Sequence, residues 1–123
     1  MNNKIKIYKI DSSIEEAAEC LVNEQRFVGF IAYASKEIEV GKEYDAEIDI
    51  FVNDGLYIEE QKGTKLKGLE HIENFSYILN GKLLDDDILD VGFIVTSDLF
   101  EDYRYLKGEY VTLKADRVQI SID

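Results

Sequence analysis

The stretch LLDDDILDVGFIV, Leu83–Val95, places Asp85, Asp86, Asp87 and Asp90 close together before the chain turns apolar. Carboxylates at that density are the raw material of a divalent-cation site. A calcium loop of the helix–loop–helix kind supplies oxygens at alternate positions, a glycine at the sixth and a glutamate at the twelfth. Counted from Asp85, the sixth position is Asp90 and the twelfth is Thr96, so the template fails. The cluster reads as a solvated connection between strands, and no metal site is expected.

The other residue types that carry chemistry occur singly. His71, in LEHIENF, is the only histidine. Catalytic zinc usually takes three protein ligands, and the deaminase H-x-E pattern needs a later P-C-x-x-C. The chain has no proline and one cysteine, Cys20, so His71 reads as a rim histidine. Cys20 falls among glutamates with no flanking cation to lower its pKa, which marks it as a small, partly buried hydrophobe. The glycines are scattered one by one and form no phosphate-binding loop. Twenty-six acidic residues offer many carboxylate pairs, and that abundance makes any single pair uninformative. No catalytic residue, metal or cofactor is assigned, and an enzyme working through carboxylates ranks third among the functional readings.

What remains is patterned acid. In EYDAEIDIFV, Tyr44, Ala46, Ile48 and Ile50 alternate with Glu43, Asp45, Glu47 and Asp49. On a strand the four acids share one face at spacings of about 7 Å, a row whose mutual repulsion calls for a cation opposite or a partner. Between Leu83 and Tyr103 there are acids but no Lys or Arg. Asp98, Glu101 and Asp102 stand there beside Tyr103 and Tyr105, aromatic residues suited to a recognition surface. Tyr33, Tyr44 and Tyr77 fall in apolar phases and are expected in the core.

The whole chain has the same bias: 26 acidic against 14 basic side chains give a net charge of −12. Binders of nucleic acid or anionic lipid gain affinity by neutralising phosphates, so both partner classes are excluded, and a basic protein is the expected partner. A lone cysteine suits the reducing cytoplasm. The N-terminus lacks a signal peptide's apolar run, and no segment approaches the ~18 apolar residues of a membrane span.

The elements that position these residues are mostly strands. Ile5, Ile7 and Ile10 alternate with lysines. Ser13 and Glu16 have capping-box spacing, and Ile14, Ala17, Ala18, Leu21 and Val22 follow a helical period, which predicts an amphipathic helix over residues 13–25. FVGFIAYA predicts a central strand buried on both faces. Asn53–Gly55 predicts a hairpin from EYDAEIDIFV into GLYIEE, and Asn80-Gly81 a second one. Val111, Leu113 and Ala115 are out of phase with Val118, Ile120 and Ile122, which predicts a bulge near Asp116 and Arg117.

At 123 residues, one domain spanning 1–123 with one core is expected. Its class is mainly β (α+β): a small barrel or two-layer β structure of about seven strands, with the N-terminal helix closing one side. The five-strand oligonucleotide-binding barrel is one candidate design, but its helix usually falls between the third and fourth strands, whereas here the expected helix precedes the strand-rich part. The leading functional expectation is a non-catalytic acidic module, of the small inhibitor or immunity-protein kind, that covers a basic protein with its acidic face. The alternative is a small-ligand-binding or accessory barrel domain.

Overall fold

The computed structural model describes residues 3–10 and 16–123. It is mostly β, in two sheets. The first contains β1 (Asn3–Ile10), β2 (Ala17–Val22), β3 (Gln25–Ala34), β4 (Glu43–Phe51) and β11 (Arg117–Ile122). These pair as β1-β2-β3-β11-β4, and β4 returns to β1, so the sheet closes on itself. All its neighbours are antiparallel except β3 and β11, which run parallel. The second sheet is open and holds β5 (Ile58–Glu60), β6 (Gly68–Glu73), β7 (Ser76–Asp85), β8 (Ile88–Asp90), β9 (Ile94–Thr96) and β10 (Tyr110–Ala115). The molecule is therefore two joined sheets and not one closed barrel of about seven strands.

Strand periodicity fixes the core. Ile5, Ile7, Ala46, Ile48, Val118, Ile120 and Ile122 point into the ring with no exposed surface, and Leu79, Leu83, Leu89 and Val111 point inward from the second sheet. Together they form one continuous apolar cluster. Gly29 makes the parallel closure: a Cβ there would sit 2.5 Å from Cδ1 of Ile120.

The expected N-terminal helix is absent. Residues 13–15 lie outside the described residues, and from Ala17 to Val22 the chain is strand β2. Ala18, Cys20 and Val22 face inward at period two, a pattern that coexists with the helical one over so short a run. Asn23 and Glu24, at φ 45° and 71°, then reverse the chain in the left-handed conformation that suits a tight hairpin. The only helical segment among the described residues is a 3-10 helix, Asp98–Leu106, capped by Ser97, whose side chain accepts from the Leu99 amide.

The two glycine turn signals also resolve differently. Asn53–Gly55 ends β4, but β5 pairs with β10 in the other sheet instead of returning along β4. β7 runs straight through Asn80-Gly81. Gly81 is needed there because a Cβ would lie 2.3 Å from the Asp90 carbonyl oxygen. The phase slip near Asp116 is the point where the chain leaves the second sheet as β10 and enters the ring as β11. Tyr44 and Tyr77 are buried as expected, whereas Tyr33 is 60% exposed because β3 is buried only in its first half.

Beside the shared apolar cluster, side-chain amides bridge the joint between the sheets. β6 and β8 share one edge of β7 and leave a gap between them. Gln25 fills it: its Nε2 donates to the Val91 carbonyl at 2.8 Å and its Oε1 accepts from the Leu69 amide at 3.1 Å. Replacing Gln25 with Ala leaves both backbone groups without partners, which costs about 2–3 kcal/mol. Urea unfolding should show that loss; one below about 0.5 kcal/mol would mean that the amide bridge is dispensable.

Candidate functional site

Strand β4 has the alternation read from its sequence: Tyr44, Ala46, Ile48 and Ile50 are buried, and Glu43, Asp45, Glu47 and Asp49 are exposed. Its neighbours divide the acidic row into two halves. On the β1 side, Lys6 lies opposite Glu43 and Lys4 opposite Asp45. Lys4 Nζ reaches the Asp45 carboxylate at 2.7 Å. On the β11 side, Ser121 and Gln119 lie opposite Glu47 and Asp49, so this half meets no cation.

Beyond the end of β1, the second sheet comes up beside β4. The Asn3 side chain imitates a strand there: it donates to the Ile94 carbonyl at 2.8 Å and accepts from the Ile94 amide at 2.9 Å. That pairing seats β9 next to Glu47 and Asp49, and the chain leaving β9 turns at Ser97 into the 3-10 helix. The result is a cavity of about 210 Å³ lined by Glu47, Asp49, Asp98, Thr96, Ser97 and Ser121. Two parts of the acidic sequence, far apart along the chain, thus converge. Glu101, three residues after Asp98, lies on the same side of a 3-10 helix, while it and Asp102 are exposed outside the cavity.

The electrostatics follow from this crowding. Partial burial pushes the Asp49 carboxyl up from its ordinary value, and Asp98 and Glu47 add to the rise. The Ile50 amide and the Ser97 hydroxyl oppose it through hydrogen bonds to the ionised form. Thr96 Oγ1 is buried and has no hydrogen-bond partner. Tyr103 is tied down, its hydroxyl donating to the Leu56 carbonyl at 2.8 Å. Tyr105 is 73% exposed, with its ring centroid 6.1 Å from that of Tyr103.

The remaining candidates do not line this cavity. Asp86 and Asp87 form the turn of the β7–β8 hairpin, and Asp85 is held below the usual carboxylate range by the Asp86 amide and Lys107. Asp90 is ion-paired with Lys67 at 2.7 Å. Among the described residues no group of His, Cys, Asp and Glu has the arrangement of a metal site. His71 is exposed, with Nε2 2.9 Å from the Asn74 carbonyl oxygen. Cys20 is buried in β2, and desolvation pushes its thiol up to about 12.

Sequence reasoning did not find Thr96, Ser97 and Ser121 as cavity residues. Small hydroxyl residues carry no signal until the fold brings them together.

The chain matches, over residues 1–122, the model of a family described as uncharacterised conserved protein UCP019853, and it belongs to that family. No curated protein and no solved structure matches it. Among the described residues no helix is long and apolar enough to cross a membrane.

Two outcomes follow. A carboxyl whose pKa is raised on folding adds stability below its unfolded pKa and loses it as pH rises through the folded one. Asp49→Asn should therefore be more stable than the parent at pH 7, with the advantage shrinking as pH falls through the raised folded value and largely gone below the ordinary 3.8. Thermal melts of both proteins across that range decide it, and a variant no more stable than the parent at pH 7, or an advantage that persists unchanged in acid, contradicts the assignment. Cys20 should resist a thiol-specific disulfide reagent in native buffer and react fully in denaturant; rapid native labelling would show an accessible thiolate.

Proposed function

We propose that this protein is a non-catalytic acidic interaction module of the inhibitor or immunity kind, which binds a basic protein through the arc formed by β4 and the 3-10 helix. The observation that carries this reading is the convergence of Glu47, Asp49 and Asp98 over one cavity. None of the three is in an ion pair among the described residues. Like charges held together raise the energy of the free protein, and a Lys or Arg side chain entering the cavity would offset that cost. The unpartnered Thr96 hydroxyl would accept a hydrogen bond from the same group. Around the cavity, Glu101 and Asp102 add to the field that steers a cationic partner, Tyr103 and Tyr105 supply aromatic contact, and Glu43 and Asp45, screened by Lys6 and Lys4, form the margin of the arc. Catalysis, cofactors, nucleic acid and membranes have no part in this reading. A reducing cytoplasm suits the single buried thiol.

The alternative, a small-ligand-binding or accessory domain, draws on a different observation. The closed sheet follows the order first-second-third-fifth-fourth, with third and fifth strands parallel, when its members are counted along the chain. That arrangement is similar to the oligonucleotide-binding barrel, a design used for many ligands on the face of its second and third strands.

The first reading is tested with Glu47→Lys/Asp49→Lys. The protein is immobilised, partners are captured from the native host at low salt, and the material eluting as salt rises is identified and re-bound to both proteins. The double variant should fold normally and bind at least about tenfold more weakly, chiefly through slower association. Equal binding by parent and variant would remove this arc from the proposal.

A further inference from the structure

Across the Lys4–Asp45 seam, the β1–β3 part of the ring has a different charge pattern. Lys4, Lys6 and Lys9 project from β1 and Arg26 from β3, in a chain where acids outnumber bases nearly two to one. Tyr8 lies between Ile7, paired with Cys20, and Lys9, paired with Glu19, at a point where the register shifts. Tyr8 is thus the extra residue of a bulge. The Arg26 guanidinium lies 4.5 Å and the Lys6 ammonium 5.3 Å from its ring centroid. The ring fixes both cations without neutralising either.

Two hollows adjoin here. One, of about 180 Å³, is lined by Tyr8, Glu19, Cys20, Arg26, Phe27, Val28 and Tyr77. The other, of about 140 Å³, shares Glu19 and Val28 and adds Lys9, Ala17, Ala18 and Phe75. Arg26 and Glu19 line the same hollow, yet neither is in an ion pair among the described residues. Tyr77, 5% exposed, lines it too. Its oxygen accepts from the Val28 amide at 2.8 Å, which leaves the hydroxyl proton for an acceptor in the hollow. Burial raises the Tyr77 pKa, so that proton is retained at neutral pH.

The two charges decide the class of ligand. A simple anion drawn to Arg26 would be repelled by Glu19, and a simple amine drawn to Glu19 would meet Arg26 and Lys6. A molecule carrying both charges satisfies both. We propose that the outer face of β1–β3 binds a small zwitterion of the α-amino-acid type with an apolar side chain. Its carboxylate lies against the Arg26 fork and the Tyr77 hydroxyl, its ammonium on Glu19, and its side chain along Val28 toward Phe75. Arg suits this role because its planar fork matches a carboxylate, and an apolar hollow with a few convergent polar groups is the usual form of a small-molecule site.

The test uses the whole protein and amide NMR titrations with L-phenylalanine and L-leucine. N-acetyl-L-phenylalanine lacks the ammonium, 2-phenylethylamine lacks the carboxylate, and inorganic phosphate serves as a plain anion. At least one amino acid should move the amide signals of Glu19, Arg26, Val28 and Phe75, and each analogue should bind at least about tenfold more weakly. Arg26→Gln and Glu19→Gln, at exposed positions, should each weaken binding by a similar factor, and Arg26→Lys should not restore it. No signal change with either amino acid up to roughly 10 mM overturns the proposal. Equal binding of the acetylated analogue or of phosphate also overturns it, since either would show a plain anion site. The analogue series on the unaltered protein decides the matter even if a variant fails to fold.

Discussion

A β-sheet that ends against another sheet leaves backbone N–H and C=O groups along its edge, and each must be paired if it is to be buried. This protein meets that constraint with side-chain amides. Gln25 spans the gap between β6 and β8, and Asn3 takes the place of a strand beside Ile94. Gln61, 8% exposed, donates to the Leu66 and Val111 carbonyls and accepts from the Leu66 amide. The acidic cavity depends on one of these contacts. Asn3 holds β9 next to β4, and the turn after β9 brings Ser97 and Asp98 to Asp49.

The parts legible in the sequence were those in which one strand explains itself. β4 alternates cleanly because one face is core and the other is solvent, so both its location and its acidic row could be read directly. The segment around Ala17 could not. Its apolar residues satisfy two periods, and pairing with β1 and β3 decides between them. Gly81 misled for a related reason: the residue is required by the Asp90 carbonyl packed over it, a contact that no neighbouring residue announces. The phase slip at Asp116 was visible, but a bulge within one strand and a passage between two sheets leave the same mark.

The acidic row and the second acidic segment were also legible separately. Their convergence was not, because it is made by Asn3, far from both in the chain. Nor could the sequence show that the row is divided. Lys4 and Lys6 screen its first half, though exposed pairs of this kind add little stability, while Glu47 and Asp49 face only neutral neighbours on β11. Around the ring, acid on β4 therefore meets base on β1, with the Lys4–Asp45 pair at the seam. Under the proposed reading, such a dipolar surface would orient a basic partner as well as attract one.

The claim that unites fold and function is that docking of β9 against β4 creates a crowded, partly desolvated acidic cavity. The Asp49 carboxyl titration, followed by carbon NMR in the parent, in Asp98→Asn and in Asn3→Ala, tests it most directly. The account predicts a pKa above the ordinary 3.8 in the parent and a lower value in both variants. An Asp49 that titrates at or below 3.8 in the parent, or is unmoved by both substitutions, would contradict it.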